Sequence, residues 1–125
     1  MLHIDIVCIG KIREKYLKDA IDEYKKRLSK YCKLNILELP DEKLPSKLND
    51  SISLEIKQKE SNLILSHIKK DSYVIALDLK GKNYTSVEFS NKIQDLSLIT
   101  SHITFLIGGT LGMTEELLSN TKELI

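Results

Sequence analysis

The chain of 125 residues has few of the features that mark secreted or membrane proteins. Its only cysteines, Cys8 and Cys32, are too few for a disulfide scaffold, so a reducing cytosol is the expected compartment. Its longest apolar runs, 73–77 and 103–107, fall far short of the ~18 residues that a membrane span needs. The amino end has neither the basic start nor the long apolar core of a signal peptide. These absences predict a cytoplasmic protein without a membrane segment.

Composition predicts one globular domain over residues 1–125, since 42% of the residues are apolar and the length suits a single core. The net charge is +1, but residues 11–33 hold nine basic and four acidic side chains, which leaves that segment at +5 and the rest at −4. We call the nine the basic stripe: Lys11, Arg13, Lys15, Lys18, Lys25, Lys26, Arg27, Lys30 and Lys33. Such a stripe is typical of a surface that binds a phosphate backbone, and equally of the solvated face of an amphipathic helix. Charge alone leaves both interpretations open.

Apolar patterning alternates between strands and helices. Continuous or alternating apolar residues predict strands over 2–9, 33–39, 73–79 and 101–107. Spacings of three and four residues predict a helix within 14–31 and another after the loop 40–50, with Asn49, Ser51 and Ser53 as alternative N-caps. A capping box at Thr85 and an N-cap at Thr114 open two more helices. The order β-α-β-α-β-α-β-α predicts an α/β fold, a mostly parallel sheet with helices on both faces.

The carboxyl end of the chain is apolar. Leu124 and Ile125 follow the predicted helix from Thr114 without a polar tail. This pattern predicts either a C-terminal helix that docks on the sheet or a helix that leads into another buried element.

Two loops are candidates for a ligand site because ligands of open parallel sheets bind beyond the carboxyl ends of the strands. One loop follows the strand that ends in Leu77-Asp78-Leu79, and the other is the glycine-rich turn 108–112. Glycines without a Cβ allow an adenosine-type cofactor to approach the main chain. Alternatively, these glycines only turn the chain from strand to helix.

Other functional motifs are absent or weak. The glycine turn is not a G-x-G-x-x-G fingerprint, and the chain has no P-loop motif. His3, His67 and His102 lack metal-ligand spacing, and we interpret His3 and His102 as structural residues of strands. Asp78 suits either a ligand contact or the cap of a turn. We therefore expect no metal site, and no general base or nucleophile is evident.

Five segments in register resemble the RlmH family, the pseudouridine-N3 methyltransferases of 23S ribosomal RNA within the SPOUT superfamily. They are residues 4–16, 20–28, 38–43, 75–82 and 105–109. Together they extend along essentially the whole chain. No single segment is specific, but five in the same order and spacing are.

The resemblance implies an α/β knot fold, S-adenosylmethionine as cofactor, and a homodimer that places the rRNA of the assembled ribosome across its two copies. By position, Leu77 and Gly108 would contact the cofactor through their backbone, and Gly109 would permit the loop. The implied reaction moves the sulfonium methyl to N3 of pseudouridine. The basic stripe would then be an rRNA contact.

The family pattern also includes a cofactor segment, a long helix and a His-bearing tail after the position of Ile125. We therefore expect that the knot and part of the cofactor site are missing from residues 1–125. Activity of this form should be impaired, and no catalytic residue is assigned. The alternatives are a non-catalytic RNA-binding α/β module and an inactive remnant of the enzyme. Affinity for S-adenosylmethionine favours the enzyme, whereas salt-dependent RNA affinity without it favours the module.

Overall fold

A computed structural model describes residues 1–125. Its strands form one sheet in the order β2-β1-β4-β3-β5, and every neighbouring pair is parallel. The predicted α/β class is confirmed, and none of the helices is long and apolar enough to cross a membrane. The elements are β1 Leu2–Ile9, α1 Lys15–Leu28, β2 Cys32–Leu39, α2 Asp50–Ser66, β3 Tyr73–Leu77, α3 Ser86–Ser97, β4 His102–Ile107, α4 Glu115–Ser119 and β5 Glu123–Leu124.

The predicted helix starts are confirmed by their caps. Thr85 forms a capping box before α3: its hydroxyl accepts from the amide of Glu88 at 3.1 Å, and the Glu88 carboxylate accepts from the amide of Thr85 at 2.9 Å. The hydrogen bond from the Thr85 amide to the carboxylate lowers the pKa of Glu88. Thr114 caps α4 in the predicted way. Of the three alternatives before α2, the structure selects Asn49, whose side chain accepts from the amide of Ile52 at 2.8 Å.

One face of the sheet, which we call the closed face, is covered by α2 and α4. Ile64 of α2 and Leu117 of α4 are 0% and 2% exposed there, so both helices are firmly packed. The buried residues of this face are Val7, Ile9, Leu39, Ile64, Val74, Ala76, Leu106, Met113 and Leu117.

The opposite face, which we call the open face, has a smaller core of Ile75, Leu96, Ile103 and Phe105 packed by α3. Helices thus lie on both faces, as predicted. On the open face α1 contributes no buried residue. An apolar groove of about 560 Å³ lies between α1 and α3, over the strand residues Leu2, Ile4 and Ile6. The open face therefore keeps a large apolar surface in contact with solvent.

Two sequence predictions near strand ends are wrong. The third strand was expected to run to Leu79, but β3 ends at Leu77 and the Leu79 side chain is fully exposed. The last helix was expected to reach the end of the chain, but α4 stops at Ser119 and β5 follows. The physical reason is the unpaired edge of β3, since the amides of Lys122 and Ile125 donate to the carbonyls of Val74 and Ala76, both at 2.8 Å.

Side-chain bonds to Glu123 reinforce this short strand. The Glu123 carboxylate accepts from the Tyr73 hydroxyl at 2.8 Å and pairs with Lys92 of α3 at 2.7 Å. Burial acts to raise the pKa of Glu123, but the bonds from Lys92 and Tyr73 outweigh it, so the pKa lies below its ordinary value. These contacts attach β5 to both the sheet and α3.

Candidate functional site

The largest cavity at the carboxyl ends of the strands lies between the loops that follow β3 and β4. These two strands are neighbours in the sheet, with Leu77 opposite Ile107. The cavity has a volume of about 570 Å³, within the range of ordinary small-molecule sites. Both loops that the sequence indicated therefore contribute to one site. Its walls include Leu77, Asp78, Lys80, Gly108, Met113 and Glu115.

The two predicted cofactor residues lie together in this cavity. Leu77 ends β3 with its side chain 39% exposed, and Gly108 follows β4 on the neighbouring strand. A Cβ added to Gly108 would lie 2.8 Å from Cγ of Met113 and 3.1 Å from the carbonyl carbon of Gly112. The loop is thus folded so tightly that only glycine fits without displacement of its neighbours. Gly112, at φ +85°, turns the chain back, and its amide donates to the carbonyl of Gly109 at 3.0 Å.

The other rim of the cavity is the turn after β3. Asp78 caps this turn because its carboxylate accepts from the amide of Lys80 at 3.0 Å. The same residue lines the cavity, so the turn-capping role does not remove it from the site. Lys80 pairs with Glu115 at 3.0 Å, and that hydrogen bond raises the pKa of Lys80. This exposed ion pair connects the two loops across the rim.

The composition of these walls fits an adenosine-bearing ligand. Apolar side chains of Leu77, Ile107 and Met113 supply surface for a flat ring. Gly108, Gly109 and Gly112 line the same cavity, and they do so with main-chain atoms alone because glycine has no side chain. Lys57 and Asp78 bring one charge of each sign to the same cavity. A zwitterionic nucleoside can therefore be held here by main chain and side chains together.

Sequence reasoning missed two polar residues beneath the glycine turn. Glu60 and Ser61 of α2 are each only 4% exposed. Ser61 Oγ accepts from the amide of Thr114 at 3.0 Å, and Glu60 Oε2 accepts from the amide of Glu42 at 2.9 Å. One signal could have revealed them: Glu60 occupies the four-residue spacing between the buried Ile56 and Ile64.

The histidines lie away from this cavity. His102 Nε2 and Asp5 Oδ2 are 2.8 Å apart in the sheet, which agrees with the predicted structural role of His102. His3, which is exposed, stacks beside it with ring centroids 6.0 Å apart. His67 ends α2 and approaches the carbonyl of Leu63. No group of three His, Cys, Asp or Glu side chains is arranged to hold a metal ion.

The basic stripe is a solvent-exposed surface. Eight of its nine residues are exposed, and only Lys25 is half-buried. It extends from the loop after β1 along α1 to the start of β2. In the loop after β1, the Ile12 amide donates to Glu38 Oε2 at 2.7 Å. Of its side chains, only Arg27 forms an ion pair, with Glu23 one turn away. Most of its charge thus remains free for a partner.

Comparison with known proteins agrees with this geometry. Residues 2–125 match the family described as predicted SPOUT methyltransferase. The chain is 58% identical over 124 residues to Ribosomal RNA large subunit methyltransferase H of Clostridium botulinum (strain Kyoto / Type A2). The aligned region covers 97% of this chain and 77% of that relative. It is 52% identical over 118 residues to Ribosomal RNA large subunit methyltransferase H 1 of Clostridium perfringens (strain SM101 / Type A). That alignment covers 94% of this chain and 74% of the relative. The resemblance noted from the five sequence segments is confirmed: the chain belongs to the SPOUT methyltransferase family.

Proposed function

We propose that residues 1–125 act as one methyltransferase domain that uses S-adenosylmethionine to methylate N3 of a pseudouridine in 23S ribosomal RNA. The observation that carries this proposal is the cavity at the carboxyl ends of β3 and β4, which is lined by both Leu77 and the tightly folded glycine turn at Gly108. The names of the similar clostridial proteins support a ribosomal RNA substrate. The proposed substrate is the rRNA of the assembled ribosome, and the proposed compartment is therefore the cytoplasm.

Leu77 and Gly108 would hold the cofactor mainly through their main chain, and Gly109 would permit the loop. When bound, S-adenosylmethionine supplies an electrophilic methyl group on a positively charged sulfur. The apolar walls at Ile107 and Met113 would exclude water from the adenosine moiety. Asp78 lies where a carboxylate can accept from hydroxyl or ammonium groups.

Methylation at N3 requires loss of the N3 proton, so orientation of the base and stabilisation of the developing anion are the main demands. Pseudouridine differs from uridine by an additional imino group. Selectivity therefore requires polar groups that uridine would leave unpaired. We assign no catalytic residue within residues 1–125.

The basic stripe is the proposed RNA surface. Its exposed lysines and arginines project from α1 and from the loop after β1. Because the loop after β1 lies at the carboxyl edge of the sheet, part of the stripe is on the same edge as the cofactor cavity. Contacts of this kind release counterions, so affinity for ribosomal RNA should fall steeply with salt.

We propose a second copy of the chain as the partner of the open face. The apolar residues of α1 are exposed, with Leu17 at 40%, Tyr24 at 63% and Leu28 at 41%. Leu28 also lines the apolar groove over β1, and an exposed apolar surface of this kind marks an interaction site. Homodimer formation would cover it.

Isothermal titration with S-adenosylmethionine tests the cofactor proposal directly. The similar Clostridium botulinum protein, of which the aligned region is 77%, is titrated in parallel. We expect saturable binding by both proteins, but slower transfer of labelled methyl by this chain than by the relative to ribosomes that lack the modification. If the relative binds and this folded chain does not, the loops at Leu77 and Gly108 are insufficient and the proposal fails for this chain.

A second candidate function is a non-catalytic RNA-binding module, favoured by the exposed basic stripe. In that case ribosomal RNA binds with a strong salt dependence, but S-adenosylmethionine produces no heat and no change in thermal stability. The same titrations therefore separate the two functions.

A further inference from the structure

Two buried polar side chains of α2 lie directly beneath the loops that border the cofactor cavity. Ser61, 4% exposed, accepts from the amide of Thr114 at 3.0 Å and so fixes the end of the glycine loop where α4 begins. Its neighbour Glu60, equally buried, is not fully satisfied. A buried acceptor without a donor costs free energy, so its presence calls for a physical explanation.

The two carboxylate oxygens of Glu60 face different loops. Oε2 accepts from the amide of Glu42, in the loop after β2, at 2.9 Å. Oε1 has no hydrogen-bond partner and lies against Gly109. A Cβ added to Gly109 would be 2.6 Å from Oε1 and 3.1 Å from Cγ2 of Ile9. The Glu60 side chain is thus the platform on which the glycine loop lies, and Gly109 must be glycine to lie there.

Glu60 also contributes to a second cavity of about 200 Å³, between the loop 41–44 and the segment Thr110-Leu111. Thr110 and Leu111 line the cofactor cavity on their other side. One short segment therefore separates the two cavities, and Glu60 contacts both of the loops that enclose the smaller one. A displacement of either loop would change the shape of the cofactor cavity.

We propose that Glu60 is a positioning residue that holds the loop after β2 and the glycine loop in register around the cofactor cavity. An apolar side chain of the same size would fill this space without an unpaired buried oxygen. We therefore attribute the carboxylate at this position to its role in holding the two loops in place, and not to a gain in the stability of the fold. The importance of this register for cofactor binding rests on the proposed function.

Three substitutions separate the two contacts of Glu60. Glu60→Gln keeps both the volume and an acceptor for the amide of Glu42. Glu60→Met keeps the volume but has no acceptor, and Glu60→Ala removes both. Amide hydrogen exchange without cofactor reports on residues 41–44 and 108–112 separately. Thermal stability and the Kd for S-adenosylmethionine are measured on the same samples.

We expect Glu60→Gln to preserve the protection of both loops, Glu60→Met to increase exchange in 41–44 alone, and Glu60→Ala to increase exchange in both loops. Each increase should be about tenfold or more, and Glu60→Ala should weaken cofactor binding by about tenfold. Ile64→Val on the same helix is the matched control, because it lowers stability without touching either loop.

Equal protection of 41–44 in Glu60→Met and in the wild type would overturn the proposal. A uniform rise in hydrogen exchange in Glu60→Ala, no different from that in Ile64→Val, would overturn it as well. The exchange measurement needs no cofactor. Absence of S-adenosylmethionine binding by the wild type would therefore refute the proposed function and leave the test of Glu60 intact.

Discussion

The two faces of the sheet bury very different fractions of the helices that cover them. On the closed face, α2 places Ile64 in complete burial and holds the loops above it through Glu60 and Ser61. On the open face, α1 has a regular apolar stripe but no buried residue. Both helices formed from amphipathic patterns, so the pattern explains the helix but not its burial. The part of the open face beside α1 is available to a partner, and the closed face supports the loops that line the candidate site.

The largest difference between the faces should be in stability. Ile64→Ala on the closed face should lower the free energy of unfolding by about 2–5 kcal/mol, because it removes fully buried methyl groups and leaves a cavity. Leu28→Ala on α1, where the side chain is 41% exposed, should cost less than about 1 kcal/mol. Urea denaturation at low protein concentration measures both. Equal losses would mean that the two faces are packed equally well.

The open face should lose self-association when charge is introduced on α1. Tyr24 is 63% exposed, so Tyr24→Lys should leave the fold intact and weaken the proposed homodimer by about a hundredfold. Leu98→Lys is the control, because Leu98 is 83% exposed but lies outside α1. Sedimentation equilibrium gives the dimer constants. A wild-type chain that stays monomeric at every concentration would refute the dimer.

Cofactor binding at the candidate site should be sensitive to a single methyl group added to the glycine turn. Gly108→Ala would force Cβ against Met113 and the backbone of Gly112, so we expect about tenfold weaker binding of S-adenosylmethionine. Gly10→Ala is the matched control: φ is +99° there, but nothing lies within 4 Å of the added Cβ. That control should lose about 1 kcal/mol of stability and retain its affinity. Titration calorimetry distinguishes the two variants, and unchanged cofactor binding by Gly108→Ala would contradict the proposed role of Gly108.

The smallest expected effect concerns the edge strand β5. Because the pKa of Glu123 in the folded protein lies below its ordinary value of 4.5, its carboxylate adds stability above that pH. This contribution is lost as the pH falls through the folded pKa. Glu123→Gln should therefore be destabilised at pH 7 and nearly unaffected at pH 2. Denaturation at both pH values measures this effect, and Glu116→Gln, at an exposed acid without an ion pair, is the control.

The sequence predicted the elements whose signals are local. The strand β1, the capping box at Thr85 and the N-cap at Thr114 depend on residues a few positions apart, and all are confirmed. It did not predict β5, since two residues carry no periodicity and the strand exists through backbone bonds to β3. Leu79 was placed in a strand by its apolar character, yet β3 has already ended at Leu77.

In the candidate site too, some residues could be predicted from the sequence and others could not. The two loops were predicted because the carboxyl ends of parallel strands meet at one edge, and the structure confirms that both line one cavity. The family resemblance named Leu77 and Gly108 within these loops, and their contact with a cofactor stays a prediction. Glu60 was not found, since its contacts are with residues 18 and 49 positions away, Glu42 and Gly109. The single local signal was a charged residue within the apolar spacing of α2.

By itself, the sequence determined the alternation of strands and helices, the parallel sheet, the glycine loop and the family. These follow from periodicity, caps and short motifs, whose physics acts within a few residues. Only the tertiary structure decided that α2 is buried while α1 stays exposed, that the end of the chain pairs with β3, and that Glu60 supports Gly109. Those outcomes depend on which groups remain unpaired or uncovered after the sheet has formed, and such groups are distant along the chain.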